Sequence, residues 1–147
     1  MATDVHAVAR DRLRTTGQRY TPTRRTLVDV LERTDRPLTI PEILRRKRQL
    51  AQSSVYRNLG LLEQAGVVCR IITTDDHARY ELTEDLTEHH HHHLICAECG
   101  RVDDFTVAPQ VERALHGAID QVSEDTGFTA VHHRLDLIGT CEGCASA

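Results

Sequence analysis

Ser53-Ser54-Val55-Tyr56-Arg57-Asn58-Leu59-Gly60-Leu61-Leu62-Glu63-Gln64-Ala65 places Val55, Leu59 and Leu62 at i, i+4 and i+7. That spacing is one apolar stripe of an amphipathic helix, ended by Gly66, and it leaves Ser54, Tyr56, Arg57 and Asn58 to point elsewhere. Upstream, three more helices are punctuated in the same way. One runs from Thr3 to Thr16 with Val5, Val8, Ala9 and Leu13 on its stripe and stops at Gly17. A second opens at Thr21-Pro22, where proline costs no hydrogen bond, and buries Leu27, Val28 and Leu31. A third starts at Thr39, with Glu42 at capping-box spacing, and ends in the basic cluster Arg45 to Arg48. Downstream the period changes to two: Val67 to Thr73 and Ala78 to Leu82 are short β-prone runs joined by Thr74-Asp75-Asp76-His77. Helices closed by such a ribbon make a winged helix-turn-helix.

The expected class is α+β in two parts: a winged-helix domain over residues 1–83, a polar connector at 84–88 and a metal-binding α/β dimerisation domain over 89–147. Charge supports the division. Residues 1–83 carry 15 Lys/Arg and 10 Asp/Glu, whereas residues 84–147 carry 3 and 12, so only the first part is suited to approach a polyanion. The second part reads as strand (90–96), cysteine turn, strand (101–106), helix (109–126, ended by Gly127), strand (129–139) and a second cysteine turn. No apolar run reaches the roughly 18 residues of a membrane span, and Met1 to Arg14 is charged instead of carrying a signal-peptide core, so a cytoplasmic chain without a membrane partner is expected. With aromatic residues at 3% and no Trp, base stacking is not the main mode of recognition.

Five cysteines and ten histidines carry the chemistry. Cys96-Ala-Glu-Cys99 and Cys141-Glu-Gly-Cys144 are two C-x2-C knuckles, each able to give two thiolates to one ion, and four sulfurs suit a closed tetrahedral zinc. Such a site is a structural staple with no open position for catalysis; two disulfides or an iron–sulfur cluster are the competing readings. The run His89 to His93, if extended, sends His89, His91 and His93 to one face and His90 and His92 to the other, so one strand can serve two ions. An expression tag would sit at a terminus; a solvated tract would not abut a knuckle. Glu112 and His116 lie four apart on one helix face, and His132 and His133 follow in the next segment. By residue type alone Cys69 is a small buried hydrophobe and Glu81 a surface acid.

Arg19-Tyr20-Thr21-Pro22-Thr23-Arg24, Ser54 to Leu59, Tyr80-Glu81-Leu82, the histidine run leading into Leu94-Ile95-Cys96-Ala97-Glu98-Cys99-Gly100, and Gly139 to Cys144 together resemble the ferric uptake regulator family over nearly the whole chain. The resemblance implies a homodimeric repressor with a structural four-cysteine zinc and a sensor metal at the hinge between domains. Carried onto this sequence, the sensor ligands are Glu81, His91 and His93. Cys69 stands where zinc-sensing members have an Asp ligand, and the resemblance makes it the fourth expected sensor ligand, while Pro37 replaces the histidine of iron and peroxide sensors, and the cysteine of zinc sensors is missing from Thr83 to Glu88. A further site takes His90, His92, His133 and either Glu112 or His116. The expected function is a zinc-responsive repressor of metal homeostasis genes that binds double-stranded DNA at an inverted-repeat operator through Arg19, Ser54, Tyr56, Arg57 and Asn58, with Arg45 to Arg48 on phosphates. The alternatives are a sensor of Fe2+, Ni2+ or peroxide in the same family, or a metal-storage or delivery protein. A zinc hydrolase would need an open zinc beside a poised base, and no such spacing occurs, so no enzyme is expected.

Overall fold

The computed structural model describes residues 3–73 and 75–147; Thr74 of the expected wing-tip turn lies outside them. Helix α1 (Val5–Thr15) begins at Asp4, whose carboxylate accepts the His6 and Ala7 N–H groups. Helix α2 (Pro22–Glu32) is capped by Thr21, and α3 (Ile40–Arg46) has both halves of the Thr39/Glu42 capping box. Helix α4 (Gln52–Gln64) follows, and Gly66 adopts φ +74° just past its end. Strands β2 (Val68–Ile71) and β3 (Arg79–Leu82) form the ribbon. A third strand, β1 (Leu38–Thr39), pairs on the far side of β3 and was not expected, because two residues carry no readable alternation.

Ala9, Leu13, Leu27, Val28, Leu38, Ile43, Val55, Leu59, Leu62 and Val67 are fully buried together between these helices and the ribbon. Each buried leucine contributes roughly 1.5–3 kcal/mol, so the Leu59/Leu62 stripe is what holds α4 to the body. Residues 83–88 are not a simple polar connector. Glu84–Thr87 form a helical turn, α5, whose Leu86 is fully buried in the same core, and Glu88 leaves it at φ 57°.

The second sheet has the order β5-β4-β6, with β4 (His92–Cys96) antiparallel to β5 (Val102–Phe105) and parallel to β6 (Asp136–Gly139). Helix α6 (Pro109–Thr126) is the crossover from β5 to β6, and α7 (Glu142–Ala145) closes the chain. The last strand is shorter than the expected 129–139; residues 128–135 form no regular element, so His132 and His133 are placed by a loop. Helix α6 buries none of its residues, and Val122, Phe128, Leu137 and Ile138 are exposed. Among the described residues no helix is long and apolar enough to cross a membrane.

The halves meet along a thin seam. Ile71 of the ribbon is buried with Ile95 and Val102 of the second sheet. The ribbon's tip, held by an Asp75–Arg79 ion pair at 2.9 Å, packs on Gly100 so closely that a Cβ there would overlap the Asp75 side chain.

Candidate metal centres and nucleic-acid face

The four knuckle cysteines converge, with all four sulfurs within 4.8 Å of one another and none in a disulfide. Cys99 and Cys141 Sγ are 3.8 Å apart, the separation expected across a tetrahedron with Zn–S bonds of about 2.3 Å. The register explains the convergence: β4 ends at Cys96 beside Gly139 of the parallel β6, so both knuckles leave the sheet at the same end. The Cys141 backbone N–H donates to Cys96 Sγ at 3.3 Å, and this bond with others from the first knuckle lowers the Cys96 thiol to about 6, whereas hydrogen bonding to Cys141 and Cys99 raises Cys144 to about 12. One readily formed thiolate among crowded sulfurs is chemistry that a divalent cation completes.

The histidine run divides by parity. On one face His91 Nε2 lies 3.1 Å from Glu81 Oε2, and His93 Nε2 lies 2.7 Å from Glu81 Oε1. Asp104 completes this group at 3.6 Å from each imidazole, and the four ligand atoms lie within 4.8 Å of one another. Burial alone would raise the Glu81 carboxyl, but hydrogen bonds from His91 and His93 hold it at about 2. In return the hydrogen bond to Glu81, acting against burial, raises His91 to about 9. Burial and the Glu81 charge push Asp104 up to about 6, and its Oδ1 is a buried acceptor without a donor. A cation would satisfy that oxygen.

Sequence reasoning missed Asp104. The signal was in the register, since His93 pairs with Asp104 on β5 and Asp136 on β6, which places both carboxylates beside it on one face. Cys69 is not in the converging group. It faces Glu81 across the β2–β3 ladder with Sγ 3.7 Å from Oε1, and burial, then the Glu81 charge, raises its thiol to about 12. The fourth member of the converging group is thus Asp104 and not Cys69. His89 joins neither group.

On the other face His90, His92, Glu112 and His133 converge. Glu112 Oε1 is 2.8 Å from His90 Nε2 and 3.0 Å from His133 Nε2, and Oε2 is 2.9 Å from His92 Nε2. The His90 and His133 Nε2 atoms face each other at 3.2 Å, an arrangement that needs a shared proton or ion between two like nitrogens. Of the two alternatives on α6, Glu112 is the member; His116 Nε2 stands back, 3.7 Å from Glu112 Oε1 and largely exposed. The His90 ring is oriented from behind by Glu84 of α5, 2.7 Å from Nδ1.

The candidate nucleic-acid face is α4 with its surroundings. Tyr56 (63% exposed), Arg57, Arg19, Arg45, Arg46 and Arg48 are all at the surface, and Ser54 is half-buried. Asn58 does not belong with them. It is 5% exposed, accepts from Arg24 Nε at 2.9 Å, and donates through Nδ2 to the Ser54 carbonyl at 2.8 Å and Ser54 Oγ at 3.2 Å. Its i+3 spacing from Val55 turns it inward, so it fixes α4 to α2.

The model of the ferric uptake regulator family matches residues 15–138. The chain belongs to this family. A ferric uptake regulation protein of Rhizobium leguminosarum bv. viciae is 33% identical over 141 residues, covering 93% of this chain and 94% of its own. A peroxide-responsive repressor PerR of Staphylococcus saprophyticus is 28% identical over 137 residues, covering 90% and 86%. The fold matches the Helicobacter pylori ferric uptake regulator with a TM-score of 0.74 at 24% identity, over 99% of this chain and 97% of that one. As a ferric uptake regulator family member the chain is a metal-responsive transcription regulator and not an enzyme, with an N-terminal helical DNA-binding domain, a C-terminal α/β dimerisation domain and a four-cysteine zinc site.

Proposed function

We propose that this family member is a repressor whose sensor ion is held by Glu81, His91, His93 and Asp104. The observation that carries the reading is the origin of these side chains. Glu81 comes from the ribbon of the DNA-binding half, while the two histidines and Asp104 come from the second sheet and the segment leading into it. An ion shared among them couples metal occupancy to the orientation of the head, and by linkage operator DNA must raise metal affinity by the same factor. Residues 84–88 act as the hinge, although Leu86 anchors most of them to the head, which concentrates the freedom at Glu88 to His91.

We assign the sensor metal as zinc. The nitrogen–oxygen separations of 2.7–3.6 Å fit ligands gathered around one small divalent ion. Two imidazoles with two carboxylates also bind zinc more tightly than ferrous iron or manganese, as the Irving–Williams order requires. A second reading, Fe2+ or a related harder ion with added waters, is favoured by one observation: Asp104 in the place expected of Cys69 leaves the set without sulfur. The cluster of His90, His92, Glu112 and His133 is assigned as a second regulatory or stabilising metal site. The exposed apolar residues of α6 and β6 are assigned to the homodimer, which would function in the cytoplasm.

The test is selection of duplexes from a random DNA pool by the protein carrying its cysteine-bound zinc, with Zn2+, Fe2+ (anaerobic) or Ni2+ added separately. Zinc should enrich an inverted repeat, Glu81→Ala and Asp104→Asn should abolish the enrichment, and Cys69→Ser should keep it. Enrichment by every metal in the Glu81→Ala variant would refute the sensor assignment; enrichment by Fe2+ alone would refute zinc.

A further inference from the structure

His6, on the first turn of α1, projects onto α2 between Asp29 and Glu32, which lie three apart on one helix face. His6 Nε2 is 2.9 Å from Asp29 Oδ1 and 3.9 Å from Glu32 Oε2, and the three ligand atoms lie within 4.8 Å of one another. The other ring nitrogen, Nδ1, is 2.5 Å from the Tyr20 hydroxyl. We propose that these three side chains form a divalent-cation site within the DNA-binding half, separate from the two histidine clusters and the cysteine site.

Protons alone can close part of this arrangement, with Tyr20 donating to Nδ1 and Nε2–H donating to Asp29. That scheme leaves Glu32 turned on the same nitrogen at 3.9 Å, too far for a hydrogen bond and near enough to share an ion. If Nδ1–H instead donates to the Tyr20 oxygen, the Nε2 lone pair is free for a cation. The ring is then oriented from behind, as histidine ligands usually are. The separations of 2.9 and 3.9 Å span the distance between neighbouring ligands of one small ion.

His6 is 16% exposed and the carboxylates 35% and 43%, so waters complete the shell on the open side. One imidazole and two carboxylates suit a late first-row divalent ion, with affinity below that of the four-ligand cluster, and the guanidinium of Arg10 over the Tyr20 ring weakens it further. The consequence is mechanical. α1 is tied to α5 by Arg12 and Asp85, and the residues flanking them meet through Thr3 and Glu88, so an ion between α1 and α2 links the hinge turn to the segment Arg19-Tyr20 that borders the nucleic-acid face.

Equilibrium dialysis of the protein against Zn2+ tests this. Wild type should bind one more zinc per protomer, in the weakest class, than Asp29→Asn/Glu32→Gln, and Glu32→Gln alone should weaken that class at least tenfold. An amide oxygen at position 29 still accepts from His6 Nε2–H, so the hydrogen-bonded chain and the fold survive in the double variant. The same charge change at the exposed Asp11 and Asp35 should leave the count unaltered. Equal zinc numbers and affinities in wild type and the double variant would overturn the proposal, as would an equal loss in the Asp11/Asp35 control. Should the double variant not fold, Glu32→Gln decides alone. Glu81→Ala should keep the weak class while removing the sensor class, so failure here and failure of the sensor assignment read out separately.

Discussion

Replacing Asn58 by Ala removes the acceptor for a guanidinium that is itself only 8% exposed, together with two donations to Ser54. A buried charged donor left without its partner costs about 1.5–3 kcal/mol, while the gain in helix propensity from Ala returns about 0.5 kcal/mol. Arg24 keeps its second bond, to the Arg19 carbonyl, which limits the damage. The expected net loss is about 2 kcal/mol, read from guanidinium unfolding of the metal-loaded protein at one fixed protein concentration, since any self-association makes stability concentration-dependent. Arg24→Leu should cost a similar amount and the double variant less than the sum, with a coupling of about 1–2 kcal/mol. If Asn58 instead contacted a base, Asn58→Ala would unfold like wild type and relax operator preference at a single base pair. That outcome would refute the assignment of Asn58 to positioning of α4.

Four further outcomes are expected. Cys96→Ser should lose the cysteine-bound zinc and unfold the second sheet, followed by zinc analysis and circular dichroism, because structural zinc contributes about 10 kcal/mol or more of binding free energy to small folds. At the sensor cluster an ion needs the Nε2 lone pair that a proton occupies while the pH stays below the raised His91 value of about 9, and His93 is raised as well, so zinc affinity should rise at least roughly tenfold per pH unit from pH 7 towards 9 and then level off in chelator competition. The metal-free protein should behave oppositely: the His91–Glu81 contribution is complete below the ordinary 6.5 and is lost as pH rises through about 9. Gly100→Ala should destabilise the protein by at least about 1–2 kcal/mol, seen in thermal unfolding, since φ is +74° and the new Cβ would displace Asp75 from the knuckle.

The helices of the head were legible because each carries an apolar stripe, opened at α1, α2 and α3 by a side-chain cap and closed after α1 and α4 by a glycine. The knuckles and the two faces of the histidine run were legible because cysteine spacing and strand parity are local rules. What escaped was set by pairing between distant segments. Asp104 reaches the cluster through the β4–β5 register, Asn58 is claimed by Arg24 from a different helix, and Leu86 is drawn into a core that its acidic neighbours conceal. The surroundings of Cys69 were set in the same way: it pairs with Glu81 across the ribbon, and Glu81 lies between its sulfur and the histidines.

The histidine run has a consequence for how the regulator can change over generations. Strand register is pinned downstream by Leu94, Ile95 and Cys96 between their two neighbours, so side-chain facing is counted backwards from that anchor. With the same residue at five successive positions and His89 in neither cluster, deleting one codon within the run would still present His91 and His93 on one side and His90 and His92 on the other in the anchored count. The unused first histidine is spare stock against a slip in copying a repetitive tract. A point substitution has no such protection: one altered imidazole breaks the cluster on one side of the strand and leaves the opposite cluster intact.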